Sequence, residues 1–324
     1  MILFEVAGGL GNQMFEYATA RRLAAQGDGV LLADVYFLGL YLQPQRRYRL
    51  DKFQVQCRVV PWHHVWRYSP LEFMTRVMRR QLPAAIFKRL LAGAARRGVK
   101  SACCFRFDSY QPDLPKPALK KRKVAAERHF HFDPEVLSLS GDCLLVGYWQ
   151  SEKYFADIAS QLRTELQVKT PQQGQDEQMA ARIRRSQSVS LHVRRGDKAT
   201  TKDFNGSSSE YCARAVAWFR ERLSSPVFFV FTDDWDWVRR NLPEAPDMVH
   251  VSHNGDDQEY EDLRLMSQCQ NHIIAPSSFS WWAAWLNPNP DKLVLAPPHH
   301  RWLNFRHCDT SDVYPKSWVQ LDDQ

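Results

Sequence analysis

The chain has 324 residues, 44% of them apolar, with a formal net charge of +7. That length exceeds most single cores and predicts two domains of roughly 150 residues each. No run of about 18 apolar residues occurs, which excludes a membrane-spanning helix, and the seven cysteines lack the C-x-x-C spacing of zinc or redox sites. Residues 2–7 read as a buried first strand, since they lack the basic start of a signal peptide and run at once into Gly8-Gly9. Gly8-Gly9-Leu10-Gly11-Asn12-Gln13 reads as a turn, 14–24 as an amphipathic helix and 30–34 as a second strand. Strand, glycine turn, helix and strand open a doubly wound sheet. The glycines allow N–H groups at a helix start to approach an anion. The pattern is neither G-x-G-x-x-G nor a Walker loop, and a tight turn without a ligand explains it equally well.

Residues 40–130 are irregular and look like an insertion on the first domain, a place where binding surfaces often arise. Within them, 58–130 carries 17 Lys/Arg against 4 Asp/Glu, a net of +13 that leaves −6 for the rest of the chain. Such a block suits nucleic acid, anionic lipid or a solvated face. Phe73, Val77, Ile86, Phe87, Leu90 and Leu91 recur near helical spacing among the charges. That favours an amphipathic helical region able to rest on an anionic membrane. Residues 144–148 read as a strand leading into Trp149-Gln150-Ser151-Glu152-Lys153-Tyr154-Phe155, with Ser151 as a helix cap. The aromatic density there serves either a core or a platform for a sugar ring.

The polar run 169–175 is the best linker. Beyond it helices and strands alternate. A strand over 188–193 ends in His192-Val193-Arg194-Arg195-Gly196-Asp197, and its alternation puts His192 and Arg194 on one face. After a helix over 210–223, the apolar run 226–231 suits a strand buried on both faces and ends in Thr232-Asp233-Asp234. Helix 234–242, extended 248–251 and helix 260–268 follow. A strand over 272–275 then ends in Pro276-Ser277-Ser278-Phe279-Ser280, before a helix over 281–286 and a last strand over 293–295.

Strand ends of one parallel sheet open into one crevice, so His192/Arg194, Asp233/Asp234 and Ser277 through Ser280 can meet. An arginine offers a donor fork matched to phosphate oxygens, with Asp197 near enough to orient it. The helix start after Pro276 can hold a diphosphate. A carboxylate at the rim can accept two N–H bonds from guanine's Watson–Crick edge, which adenine lacks. Asp234-Trp235-Asp236 has the D-x-D spacing of metal-dependent sugar transferases, yet it falls at a helix start, where Asp is favoured as a cap. His299, His300 and His307 show no regular ligand spacing, and Cys212 and Cys269 read as core residues.

Five segments together resemble the family 11 glycosyltransferases, the α-1,2-fucosyltransferases, and the bacterial members especially. They are Gly8-Gly9-Leu10-Gly11-Asn12-Gln13-Met14-Phe15-Glu16-Tyr17-Ala18, Gly147-Tyr148-Trp149-Gln150-Ser151-Glu152-Lys153-Tyr154-Phe155, His192-Val193-Arg194-Arg195-Gly196-Asp197, Phe231-Thr232-Asp233-Asp234 and Ser277-Ser278-Phe279-Ser280-Trp281-Trp282-Ala283. The resemblance implies an α/β GT-B architecture of two Rossmann-like domains facing a cleft. The expected boundaries are 1–168 for an acceptor-side domain carrying the basic helical insertion, 176–298 for a donor domain, and 299–324 for a tail that could pack back on the first.

It further implies inverting transfer of fucose from GDP-β-L-fucose to the 2-hydroxyl of a terminal galactoside, without a metal or other cofactor, as in O-antigen or other surface-glycan synthesis. Carried over by position, Arg194 would hold the β-phosphate, His192 and Asp233 the nucleoside, and Ser277, Ser278 and Phe279 the diphosphate. Arg195 and Asp234 would join the donor site, and Gly9, Asn12 and Gln13 would border it. Asp34, Tyr148, Trp149, Gln150 and Lys153 would face the acceptor. A general base, where one is needed, would come from Glu16, Asp34 or Asp197, although Asp197 could equally orient an arginine and a dissociative route needs no strong base; Arg194, Asp197 and Glu16 are the catalytic candidates. The expected setting is cytoplasmic, with peripheral contact at the inner face of the membrane and no nucleic acid partner. The alternatives are an enzyme using a different GDP-sugar or other nucleotide-sugar and, in another class, a basic lipid- or RNA-binding module.

Overall fold

The computed structural model describes residues 1–35, 46–82, 86, 89, 124–195, 206–242, 244–303 and 308–322. The chain divides into two compact units. The first comprises Met1–Gly9, Phe15–Tyr48 and Gln56–Ile158; the second comprises Leu10–Met14, Arg49–Val55 and Ala159–Gln324.

The first unit holds strands β1 (Ile2–Glu5), β2 (Leu31–Asp34), β3 (Arg58–Val59), β4 (Val124–Ala126) and β5 (Cys143–Val146). They form a parallel sheet in the order β3-β2-β1-β5-β4. Parallel neighbours need a crossover, and helix α1 (Leu10–Ala24) supplies it between β1 and β2. β2 and β5 are buried along their whole length, which is why they read as unbroken apolar runs. The structure corrects the sequence reading at two places. α1 begins at Leu10 rather than 14, so Gly11 lies inside the helix and the turn shrinks to Gly8, with φ 75°, and Gly9. The strand expected to reach 148 stops at Val146, because Gly147 has φ 153° and Trp149 φ 57°. Helix α2 (Pro70–Gln81) falls in the region expected to be helical. Its Phe73 stacks on Trp62 and packs against the core cluster that includes Leu3, Leu32 and Leu144. Most of the remaining basic insertion, including Phe87, Leu90, Leu91, Cys103 and Cys104, lies outside the described residues.

The second unit holds β6 (Gln187–Val193), β7 (Pro226–Thr232), β8 (Met248–His250), β9 (Asn271–Ile273), β10 (Val294–Ala296) and β11 (Val319–Gln320). Their order is β11-β10-β9-β6-β7-β8, again parallel throughout. Helices α3 (Ala159–Glu165), α4 (Gly174–Arg184), α5 (Ser209–Arg220), α6 (Trp235–Asn241), α7 (Glu259–Gln268) and α8 (Ser278–Leu286) belong to this unit. Val189, Leu191 and Val193 of β6 pack with Phe228, Val230 and the apolar face of α5. The polar run 169–175 joins α3 to α4 within the unit, where the Lys169 N–H donates to the Lys52 carbonyl. The described part of the tail packs here too, with Trp281 Nε1–H donating to the Val313 carbonyl at 2.7 Å. Both units are thus Rossmann-like, and the α/β class expected from the alternating elements is the one observed.

Cys212 and Cys269 are free, buried thiols, and burial pushes the Cys212 thiol up to about 12. They serve the core. Among the described residues, no helix is long and apolar enough to cross a membrane.

Candidate active site

In an open parallel sheet, ligands bind beyond the carboxyl ends of the strands, where the strand order reverses. In the second unit that reversal lies between β6 and β9. The segments that leave there are His192-Val193-Arg194-Arg195 from β6 and Ser277-Ser278-Phe279 after β9. The rings of His192 and Phe279 lie 5.5 Å apart across this point.

Register brings in the neighbouring strand. Val193 pairs with Thr232, so Asp233 falls beside Arg194. Arg194 Nη1 is 2.8 Å from Asp233 Oδ2, and the Arg195 N–H donates to Asp233 Oδ1 at 2.8 Å. One carboxylate therefore holds two successive arginines. The Arg194 N–H donates to Ser207 Oγ, while Arg195 Nη1–H donates to the Ser207 carbonyl and its guanidinium lies over the Trp237 ring. Asp234, expected in the donor site, caps α6 by accepting from the Trp237 N–H at 2.9 Å. Ser277 caps α8 by accepting from the Phe279 N–H. Asp197 lies outside the described residues.

Leu10–Met14 groups with this same unit. Ser278 Oγ donates to Asn12 Oδ1 at 2.6 Å, and Gln13 Oε1 accepts from the Arg49 N–H at 3.0 Å. A Cβ on Gly11 would sit 2.4 Å from the Ser278 carbonyl carbon and 2.5 Å from Phe279 N. Gly11 is therefore required for close backbone approach, a role the sequence reading did not assign it. Arg49 in turn pairs with Asp257 at 2.7 Å and Glu259 at 2.9 Å. Asn12 thus fixes the α8 start, while Gln13 holds Arg49, whose ion pairs lie at the start of α7.

In the first unit the reversal lies between β1 and β5. Five predicted residues collect at or near this carboxyl edge: Glu16, Asp34, Tyr148, Trp149 and Gln150. Glu16 is 1% exposed, and both its oxygens accept from the Ala7 N–H. Burial, reinforced by Glu5 and Glu127, holds its carboxyl well above the usual range despite that bond. Asp34 ends β2 and is buried. Trp149 is 1% exposed with its ring edge-on to Tyr154, so its side chain belongs to the core. Gln150 is also buried, Tyr148 half-buried and Lys153 exposed, its Nζ near the Phe132 ring. Gly9 lies near the Arg46 guanidinium. Ser151 precedes a short 3-10 turn, Glu152–Tyr154, without a side-chain cap. Two residues had no sequence signal: Ser207, in a polar loop, and Glu127, which follows an edge strand and binds the 147–149 turn.

A guanidinium at a sheet's reversal point and a serine-capped helix start are both donors matched to a diphosphate. With two Rossmann-like units, this is the build of a glycosyltransferase of the GT-B class. The profile of glycosyl transferase family 11 matches residues 117–322, and the chain belongs to that family. An alpha-1,2-colitosyltransferase from Escherichia coli is 28% identical, with 99% of each chain covered. The O-antigen biosynthesis glycosyltransferase WbnK, also from Escherichia coli, is 27% identical over 98% of this chain and 99% of its own. Galactoside alpha-(1,2)-fucosyltransferase 1 from Leontocebus fuscicollis is 31% identical, over 44% of this chain and 42% of its own.

Proposed function

We propose that the protein transfers L-fucose from GDP-β-L-fucose to the 2-hydroxyl of a terminal galactoside, with inversion and without a metal, in the assembly of O-antigen or another surface glycan. The observation that carries this reading is Arg194 at the β6/β9 reversal, held by Asp233 and accompanied by the Ser277-capped start of α8. Kinship to enzymes named for α-1,2 transfer supports the linkage, and kinship to an O-antigen transferase supports the setting.

Cleavage of the sugar–phosphate bond puts negative charge on GDP and leaves the sugar oxocarbenium-like. Preorganised cations and N–H dipoles stabilise such a leaving group. Arg194 supplies the cation, and the helix start at Ser277, Ser278 and Phe279 supplies N–H dipoles. His192 beside Phe279 is the contact for the nucleoside, with Asp233 at the rim. Asp34, Tyr148, Gln150 and Lys153 border the acceptor, while the Trp149 ring packs in the core against Tyr154. The base, where one is needed, is sought among Glu16, Asp34 and Asp197.

A second reading keeps the chemistry and changes the sugar: the 28% identical relative is named for colitose, not fucose. A screen of GDP-fucose and GDP-colitose against galactose-terminated acceptors, with the product linkage read by NMR, tests both. Fucose joined α-1,2 to galactose supports the first; turnover of GDP-colitose alone selects the second. Titration with GDP, UDP and ADP separates these from other nucleotide-sugars, and preference for UDP or ADP rejects the guanine reading.

The enzyme is also proposed to work in the cytoplasm at the inner membrane face. Trp66 and Met74 are 53% and 48% exposed, and Arg58 and Arg67 are exposed in the same unit, a composition suited to anionic lipid. Co-sedimentation with phosphatidylglycerol vesicles but not with phosphatidylcholine vesicles would bear this out; equal recovery from both would reject it.

A further inference from the structure

Trp149 is the one residue other than glycine with positive φ among those described. A bulky side chain in that region costs about 1–3 kcal/mol and persists only where its surroundings over-determine it. Glu127 binds the turn on which Trp149 lies. It follows the edge strand β4, and its own N–H donates to the Val146 carbonyl. Its carboxylate, 4% exposed, then reaches the turn that leaves β5. Oε2 accepts from the Tyr148 N–H at 2.8 Å and Oε1 from the Trp149 N–H at 2.9 Å.

The turn is shaped to admit this side chain. A Cβ on Gly147 would stand 2.4 Å from Glu127 Cβ and 2.9 Å from Oε2. On the far side, the Trp149 ring is fixed edge-on to Tyr154, whose hydroxyl accepts from the Asp133 N–H. A buried carboxylate is costly unless hydrogen-bonded. Here it engages two N–H groups of a turn at the sheet's reversal point, where a strand could have ended without it. A stability role alone would not require a strained turn beside a site.

We propose that Glu127 is a positioning residue: its carboxylate sets the Gly147-Tyr148-Trp149 backbone and thereby how Tyr148 and Gln150 meet the acceptor. This rests on the reading of that loop as the acceptor's. It acts through two N–H bonds on the turn that carries Tyr148 and leads into Gln150.

The test is Glu127→Gln and Glu127→Asp in the full chain, with KM measured separately for a galactoside acceptor and for GDP-fucose. Gln keeps the length but has one acceptor oxygen for two N–H donors. Asp keeps the charge but falls short by about 1.5 Å, one C–C bond. Both should raise acceptor KM about tenfold or more, as misplaced binding groups do, with donor KM unchanged. A rise in donor KM instead would support the positioning role while overturning the acceptor reading of the loop. Wild-type constants in either folded variant would overturn the positioning role. Hydrogen exchange on the wild-type protein provides a check independent of variant folding: the Tyr148 and Trp149 amides should exchange slowly, and rapid exchange at both would refute the clamp.

Discussion

The Arg194 guanidinium and the Asp233 carboxylate form an ion pair at 2.8 Å, and the same carboxylate accepts from the Arg195 N–H. Both side chains are roughly a quarter exposed, so the pair contributes about 1 kcal/mol or less to stability. Its consequence is geometric: the fork is held before any diphosphate arrives.

Removing that fork should reduce turnover far more than it reduces stability. Arg194→Ala is expected to lower kcat by at least about 10²-fold, the usual loss for one oxyanion donor. Arg194→Lys should rescue poorly, because a point charge cannot replace two parallel donors. Steady-state kinetics alongside thermal melting separate the effects, and near-normal turnover in Arg194→Ala would remove this residue from the mechanism.

Gly11 supports a second expectation. An added methyl would press on main-chain atoms of Ser278 and Phe279, which cannot rotate away. Gly11→Ala should destabilise by about 1–3 kcal/mol, as overpacking does, and weaken GDP binding by displacing the α8 start. Gly27, with nothing within 4 Å of its would-be Cβ, is the control. Equal melting temperatures for the two alanine variants would contradict the close-approach role.

The sequence made the second unit's strand ends legible because apolar runs stop abruptly at polar residues there. It could not show which carboxylate serves Arg194. Asp197 is nearer along the chain, but the pairing of Val193 with Thr232 delivers Asp233. Gly11 looked like part of a turn because its neighbour, the Ser278 backbone, is more than 260 residues away. Glu127 left no pattern at all, since a single carboxylate after an edge strand reads as solvent-facing until the turn it binds is located. Periodicity reports which side of an element is buried; it does not report what one buried polar group holds.

One buried and one half-buried group set opposed pH dependences. His272 bridges Ser190 Oγ at 2.8 Å and Asn287 Nδ2 at 2.9 Å, and burial lowers its pKa to about 3 from 6.5. Between those values the unfolded chain binds the extra proton, so stability falls as pH drops from 6.5. Burial raises the Asp262 carboxyl from 3.8 to about 7, with Asn254 and His253 opposing the shift. There the folded chain binds the extra proton, and stability falls as pH rises towards 7. Asp262→Asn keeps an oxygen for Asn254 Nδ2 and removes the second effect. Its stability relative to wild type should therefore grow between pH 5 and pH 8, by on the order of 2 kcal/mol. Urea melts at the two pH values measure this, and a constant difference would mean that Asp262 is ionised throughout.

The last expectation concerns the D-x-D spacing at Asp234-Trp235-Asp236. The Asp234 carboxylate caps α6 through the Trp237 N–H, and Asp236 pairs with Arg239 on the same exposed helix. Each carboxylate already has a local task that explains its presence. The charge on a departing diphosphate has a separate answer in Arg194 and the α8 start. Turnover should therefore survive excess EDTA. Asp236→Asn, which leaves the cap intact, should turn over like wild type with and without chelator. A metal held by the pair predicts the reverse: activity lost in EDTA, restored by manganese, and absent from Asp236→Asn. That result would move the neutralising charge from the guanidinium to an ion, and with it the reason Arg194 stands at the sheet's reversal point.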